Sequence, residues 1–390
     1  MDRRPEVTAA LLALYAAGLR RPSTLTLVLT EGCNLACGHC WVESPFFSTV
    51  PPVPTGDLCR DAAEFAELGG ATLNLTGGEV LTHPEWATVL RFTAHLAGLR
   101  TICFQTNAAL LSPADAGVLA EAARIGAGGS AEAGRFELWV QVSLDGARPE
   151  THDLIRGSGA FAAAIAGLRL LVASGVRTRV AFTEMRHNVD DLPALFALVE
   201  ELGVDEVTSA SVVRHGRART STGVEPPTGL QYAGLLDRYH ADPVFRRRVD
   251  ERGSVVALSW LAGRDHPREG ACIFADHLYL NTRGLLFPCH LFPVERFAAR
   301  NVYERSLAEA IREAVPLWAE AQALSCSRAS GIAACAECPG RVHCAGGCMG
   351  RAWLTHGGPE EPEDRCELRR AVYAWEARGG REEAGSRRSW

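Results

Sequence analysis

Cysteines set at short, uneven intervals carry most of the chemistry that this chain can do. The first group, Cys33-Asn34-Leu35-Ala36-Cys37-Gly38-His39-Cys40, places three thiols within eight residues. Three thiolates can hold three irons of a cubic iron–sulfur cluster and leave the fourth iron without a protein ligand. An open iron is a place for a substrate or cosubstrate to bind. A zinc site or a purely electron-transferring cluster is the plainer use of the same residues. A second series fills the C-terminal third: Cys272, Cys289, Cys326, Cys335, Cys338, Cys344, Cys348 and Cys366. Four of these, Cys335, Cys338, Cys344 and Cys348, have intervals that suit a zinc ribbon, but that use leaves Cys272, Cys289 and Cys366 unexplained.

The elements that must position these groups are legible around them. The apolar, β-prone run Leu25 to Thr30 puts the first cysteines on the loop leaving a first strand, which is where an α/β barrel keeps its chemistry. Further strands are expected at Thr72 to Thr76, Thr101 to Gln105, Leu138 to Ser143, Thr178 to Thr183 and Glu206 to Ser211. Amphipathic runs lie between them: Asp61 to Leu68, Pro113 to Ile125, Phe161 to Ala173 and Leu192 to Leu202. Ser112 before Pro113 reads as a helix start, and Gly69, Gly175 and Gly203 stand where helices should stop. Gly126 to Gly134 reads as a loop insertion. Alternation of this kind predicts a parallel sheet.

Composition bounds the rest. A chain of 390 residues, 47% hydrophobic and 22% charged, fits a soluble globular enzyme of about two domains. No apolar run reaches the ~20 residues that span a bilayer. The basic start followed by an apolar stretch lacks a small-residue cleavage site, so a packing helix is expected there and not a signal peptide. A net charge of −6 gives no general attraction to nucleic acid or to an anionic membrane. All 40 basic residues are arginine, so no lysine Schiff base is available. Thirteen cysteines without an export signal argue for metal sites in a reducing cytoplasm and against a disulfide framework.

On the cysteine triad and the motifs at the expected strand ends, the chain resembles the radical SAM superfamily. Its Cys-x3-Cys-x2-Cys loop after the first strand binds a 4Fe–4S cluster, whose open iron is chelated by S-adenosylmethionine (SAM). Thr76-Gly77-Gly78-Glu79 resembles the family's GGE motif, with Val80 where many members have proline. There the carboxylate meets the methionine ammonium, and the glycines let the backbone approach a ligand closely. Gln105-Thr106-Asn107 and Ser143-Leu144-Asp145-Gly146 resemble segments beside SAM, the latter near its ribose. Arg156, in His152-Asp153-Leu154-Ile155-Arg156-Gly157, is by this resemblance a contact for the SAM carboxylate. The C-terminal series resembles the seven-cysteine SPASM extension with its two auxiliary 4Fe–4S clusters. The resemblance assigns Cys272, Cys289 and Cys348 to the first and Cys335, Cys338, Cys344 and Cys366 to the second. Cys326, in an expected loop, either completes the first auxiliary cluster or leaves it an open iron. His290, after Cys289, stands where some SPASM enzymes have an acidic base, and an imidazole of near-neutral pKa is suited to that work.

The resemblance implies a partial (β/α)6 TIM-like barrel with a C-terminal cysteine-rich SPASM domain. Expected boundaries are 1–23 for an N-terminal helix, 24–235 for the barrel, 236–269 for a linker helix region, 270–370 for the SPASM domain and 371–390 for a tail. It also implies three 4Fe–4S clusters, reductive cleavage of SAM to a 5′-deoxyadenosyl radical, and hydrogen abstraction from a peptide substrate that is then oxidised or crosslinked. A peptide substrate, recognised either directly or through a separate leader-binding protein, and an electron donor such as flavodoxin or ferredoxin are the implied partners, with no nucleic acid and no membrane. The enzyme alternative is a small molecule such as an aminocyclitol, a sugar or a tetrapyrrole. A non-catalytic electron carrier is the alternative of another class, which the SAM motifs disfavour.

Overall fold

The computed structural model describes residues 4–129, 135–263 and 272–379. Six strands run parallel in chain order: β1 (Thr24–Val28), β2 (Thr72–Thr76), β3 (Thr101–Thr106), β4 (Glu137–Ser143), β5 (Arg177–Glu184) and β6 (Glu206–Ser211). Helices Thr55–Glu67, Trp86–Ala94, Pro113–Gly128, Ala160–Ala173 and Leu192–Leu202 connect them. Each expected strand and helix forms, with ends shifted by a few residues. Ser112 caps its helix reciprocally with Asp115, and Gly203 stops the helix before β6 in a left-handed conformation, φ 74°. Of the expected Gly126 to Gly134 insertion, the first residues extend the Pro113–Gly128 helix, and residues 130–134 lie outside the described ones.

The sheet does not end at β1. Two short strands from the C-terminal third, β7 (His277–Leu280) and β8 (Leu286–Phe287), extend it to eight strands in the order β6-β5-β4-β3-β2-β1-β7-β8. β7 lies parallel to β1 in the register Thr24↔His277 to Leu27↔Leu280, and β8 pairs antiparallel with β7. The barrel and the cysteine-rich third therefore share one sheet.

Alternation along the strands gives the sheet two different faces. Leu25, Leu27, Leu73, Leu75, Ile102, Phe104, Val140, Val142 and Val180 are fully buried in the core shared with the helices. On the other face Thr26, Asn74, Gln105, Gln141, Arg179 and Thr208 remain partly exposed. A closed eight-stranded barrel fills that inner face with bulky branched side chains. Here the inner face is polar, as an aqueous binding chamber requires.

The N-terminal helix Pro5–Ala16 packs on the long helix Leu307–Gly331 of the C-terminal third. The expected boundaries at 235 and 370 fall inside the helices Gly229–Ala241 and Cys366–Ala377, which pack on each other. Among the described residues no single helix is long and apolar enough to cross a membrane.

Arg351 ties the end of β6 to the C-terminal third. Its side chain is 3% exposed and pairs with Asp364 at 2.6 Å, and it donates to the carbonyls of Ser211 and Val212. Removing one member of a buried pair strands the other, at about 3–5 kcal/mol. Arg351→Ala is therefore expected to lower the unfolding midpoint in urea at equal iron content. A midpoint within error of wild type would show that this tie carries no stability.

Candidate functional site

The cysteine loop leaves β1 and is held by backbone contacts to the turn after β2. The Gly78 N–H donates to Thr30 O at 2.8 Å and the Glu79 N–H to Gly32 O at 2.9 Å. A methyl on Gly78 would lie 2.3 Å from Glu31 O and 2.5 Å from Gly32 O; on Gly77 it would lie 2.9 Å from Thr30 O. The two glycines thus admit the backbone of the cysteine loop itself, where the sequence suggested close approach of a ligand.

Glu79 is 2% exposed. Its carboxylate accepts from Thr106 Oγ1 at 2.6 Å, Asn107 N at 2.7 Å and Leu81 N at 3.1 Å. Burial pushes its pKa upward and these three donors oppose that. Asn107 reaches on to Asn34 Oδ1 at 2.9 Å and lies 3.8 Å from Cys33 Sγ. The GGE and Thr-Asn segments, separate in sequence, form one hydrogen-bonded unit with the first cysteine.

A second unit grips Cys37. Asp145, wholly buried, takes Arg156 Nε at 2.6 Å and the Thr183 N–H at 2.7 Å. Burial alone would raise its carboxyl, but Arg156, His39 and that N–H hold it down at about 2. Arg156 Nη1 lies 3.9 Å from Cys37 Sγ, and Nη2 is 3.3 Å from His39 Nε2. Asp145 and Arg156, both expected against SAM, are paired with each other and aimed at the cysteine loop. His39 has its other ring nitrogen, Nδ1, buried without a partner among the described residues, and burial pushes its pKa down to about 4. Ser143 stands partly exposed at the end of β4. Arg217, which sequence reasoning missed, fixes the loop from β6's side by donating to Cys37 O at 3.1 Å and Ser44 O at 2.7 Å. Nothing local in the sequence marks it out among the other arginines.

The C-terminal cysteines separate into two groups. Cys289 lies close enough to Cys348 and Cys272, and Cys348 close enough to Cys272, for these sulfurs to raise the thiols of Cys289 and Cys348, Cys289 reaching about 12 mainly through burial. Cys335, Cys338, Cys344 and Cys366 line a single cavity. Cys326 stands on the helix Leu307–Gly331, not in a loop, and its side chain is exposed. Gln322 lies 3.8 Å from its sulfur, and Ser325 beside it accepts from the Cys272 N–H at 2.8 Å. His290 is half-buried, and burial lowers its pKa to about 4, away from the near-neutral value on which a base role was expected.

All thirteen cysteines are free thiols. Among the described residues no three His, Cys, Asp or Glu side chains converge tightly enough to hold a single metal ion. A cubane spreads its thiolates over separate irons and does not need that convergence. The crowded thiols of the Cys33 loop, the two C-terminal groupings, the cavity and the orphaned His39 nitrogen fit iron–sulfur clusters with a polar cosubstrate beside the first.

The register separates the cysteine groups in space. Cys289 bridges His277, which pairs with Thr24 at the start of β1, whereas Cys33 follows its end. Five residues of strand at ~3.3 Å each put roughly 17 Å between these levels. The polar inner face of the sheet lies between them.

Comparison with known proteins agrees with this arrangement. The family described as the radical SAM superfamily matches residues 27–199. The AdoMet-dependent heme synthase of Methanosarcina barkeri is 28% identical, over 89% of this chain and 97% of the relative. Mycofactocin maturase MftC of Mycobacterium ulcerans is 28% identical over 91% of this chain and 90% of its own. The PqqA peptide cyclase of Ruegeria pomeroyi is 28% identical over 88% of this chain and 87% of its own. Two solved structures share the fold. Streptococcus suis SuiB bound to its precursor peptide SuiA superposes with a TM-score of 0.68 at 16% identity, covering 93% of this chain and 80% of that one. Native anSMEcpe with bound AdoMet gives 0.70 at 15% identity, covering 92% and 97%.

The packing of Gly78 yields a direct test. Gly78→Ala is expected to push the Cys33 loop away from β2 and to lower iron after anaerobic reconstitution by about four per chain. Unchanged iron would show that the loop absorbs the methyl group.

Proposed function

We propose that this chain, which matches the radical SAM superfamily over residues 27–199, is a radical SAM enzyme with a SPASM-type cysteine-rich extension and that it matures a peptide. The observation that carries the reading is the placement of the Cys33 loop and Cys289 at opposite ends of the β1/β7 pair, with the polar sheet face between these levels. When bound, a 4Fe–4S cluster on Cys33, Cys37 and Cys40 and its SAM supply the 5′-deoxyadenosyl radical that takes a substrate hydrogen.

The chain's own residues would do the holding. Glu79 would accept the SAM ammonium in the charge-assisted bonds a carboxylate makes best. Thr106 and Asn107 would keep that carboxylate oriented. Ser143, Asp145 and Arg156 would border the cosubstrate from the β4 side, with Arg156 steadying Cys37. Cys272, Cys289 and Cys348 would hold one auxiliary cluster and Cys335, Cys338, Cys344 and Cys366 the other. Cys326, exposed on its helix, would complete the first only after turning inward. His290 would stand at that end as a neutral but weak base, since its pKa is lowered to about 4. An electron donor such as ferredoxin or flavodoxin, a leader-binding protein and a cytoplasmic setting belong to the same reading.

The polar inner face favours a peptide, because hydroxyl and amide side chains such as Thr26, Asn74, Gln105 and Gln141 complement backbone amides. The similarity to a heme synthase supports tetrapyrrole tailoring as the second reading. The deciding experiment incubates anaerobically reconstituted protein with SAM, dithionite and either a precursor peptide encoded nearby or an iron porphyrin. Loss of hydrogens from the peptide by mass spectrometry, abolished in the Cys33/Cys37/Cys40 triple alanine variant, is expected. Turnover of the porphyrin alone would overturn the peptide assignment.

Binding of SAM gives an independent check. Glu79→Gln removes one charge-assisted acceptor, worth about 1.5–3 kcal/mol, so the SAM Kd should rise roughly 10- to 150-fold. An unchanged Kd with full iron would leave Thr76 to Glu79 as a structural turn only.

A further inference from the structure

The two C-terminal cysteine groups stand in unlike electrostatic surroundings. In the first, Cys289 and Cys348 are half-buried, and loss of solvent raises both thiols. The sulfurs of Cys348 and Cys272 are the charges felt by Cys289. Cys348 donates its N–H to Glu363 Oε2 at 3.1 Å and feels one cation, Arg365; the same Glu363 also acts on Cys344 and Cys366, so the groups differ in the number of arginines and not in the carboxylate. In the second, arginines complete the wall. Arg341, Arg369 and Arg370 line the cavity together with one carboxylate, Glu363, and with Cys335, Cys338, Cys344 and Cys366, so cations outnumber anions there.

These cations are held in place. Arg370 lines the cavity beside Cys338 and Cys366, and its Nη2 donates to Ala334 O at 2.5 Å. Arg369 Nε is fixed on Glu363 Oε1 at 2.7 Å, and its charge reaches Cys344. Glu363 is 2% exposed and also binds Arg365 at 2.6 Å, so one carboxylate sits between the groups and orients the arginines. Reducing a cluster adds one negative charge to it. Nearby cations and N–H···S contacts favour that charge, while a neighbouring carboxylate and apolar burial disfavour it.

We propose that Arg369 and Arg370 hold the second cysteine group at a higher reduction potential than the first, so that one electron shared between the two clusters resides on the second. Oxidation of the first by one electron is then balanced by reduction of the second by one, and no other reactant is needed. The proposal rests on the reading of both groups as cluster ligands. Arg370 is the tuning residue best suited to substitution, because it is exposed and its removal leaves no buried partner stranded. Arg369 is nearly buried and its loss would free Glu363, so it is the poorer probe.

The test is a redox titration of the reconstituted protein followed by electron paramagnetic resonance, with iron per chain measured first. Signals are assigned with Cys289→Ala and Cys366→Ala variants. The second group is expected to reduce before the first in the wild type. Arg370→Gln should lower the midpoint of the second alone, and Arg370→Lys should keep most of it. If Arg370→Gln loads poorly, Arg341→Gln on the same cavity is expected to lower that midpoint instead. A first group that reduces more easily, or midpoints unmoved in fully loaded Arg370→Gln, would overturn the proposal. Native protein that reconstitutes only the Cys33 site would instead refute the ligand assignment on which it rests, and the two failures are told apart by the iron count.

Discussion

Backbone laid directly on backbone organises the mouth of this sheet. Because residues 77 and 78 have no side chain, the turn after β2 sits against Thr30, Glu31 and Gly32 closely enough to exchange two hydrogen bonds. That contact fixes the start of the cysteine loop and turns Glu79 into the protein. A carboxylate so deeply placed is costly unless its oxygens are met by donors, and the end of β3 supplies them through Thr106 and Asn107. Three consecutive strand ends are thereby coupled before any ligand is considered.

Arginine does the corresponding work elsewhere in a chain without lysine. Its planar fork satisfies several carbonyls from one side chain, which an ammonium on a flexible stem does poorly. Arg328 gathers the carbonyls of Pro359, Gly346, Gly347 and Glu361, closing the loop that carries Cys348. Arg217 does the same for Cys37 and Ser44, and Arg351 for Ser211 and Val212. The loops that carry Cys37 and Cys348 are each tied to the scaffold by a buried or half-buried guanidinium.

What could be read in the sequence follows from range. The six parallel strands are short apolar runs bounded by turn residues, and their helices carry local stops such as Ser112 and Gly203, so both were legible. β7 and β8 were not, since four and two residues have no signal of their own: β7 exists as a strand only by pairing with β1 across some 250 residues, and β8 only by pairing with β7. Cys326, expected in a loop, lies on the helix Leu307–Gly331, because the helix continues through the weak helix formers of Ser325 to Gly331. Packing against Pro5–Ala16 keeps that long helix intact. Of the site, the cysteine sets and the GGE, Thr-Asn and SLDG segments were visible as motifs. That Asp145 and Arg156 would face each other depends on burial, which no local pattern reveals. His290's lowered pKa has the same origin.

The pairing of β7 with β1 also sets a clock. While the chain is being made, the outer edge of β1 has no partner until His277 to Leu280 emerge, roughly 250 residues after Val28. At about 5–20 residues per second that interval lasts some 12–50 seconds. Throughout it, Thr24 to Val28 present an open ladder of amides and carbonyls, the kind of edge onto which a strand from a neighbouring nascent copy can add. The last third of the chain is thus what finally seals the first strand, and crowding of ribosomes on one message decides how often a foreign strand gets there first.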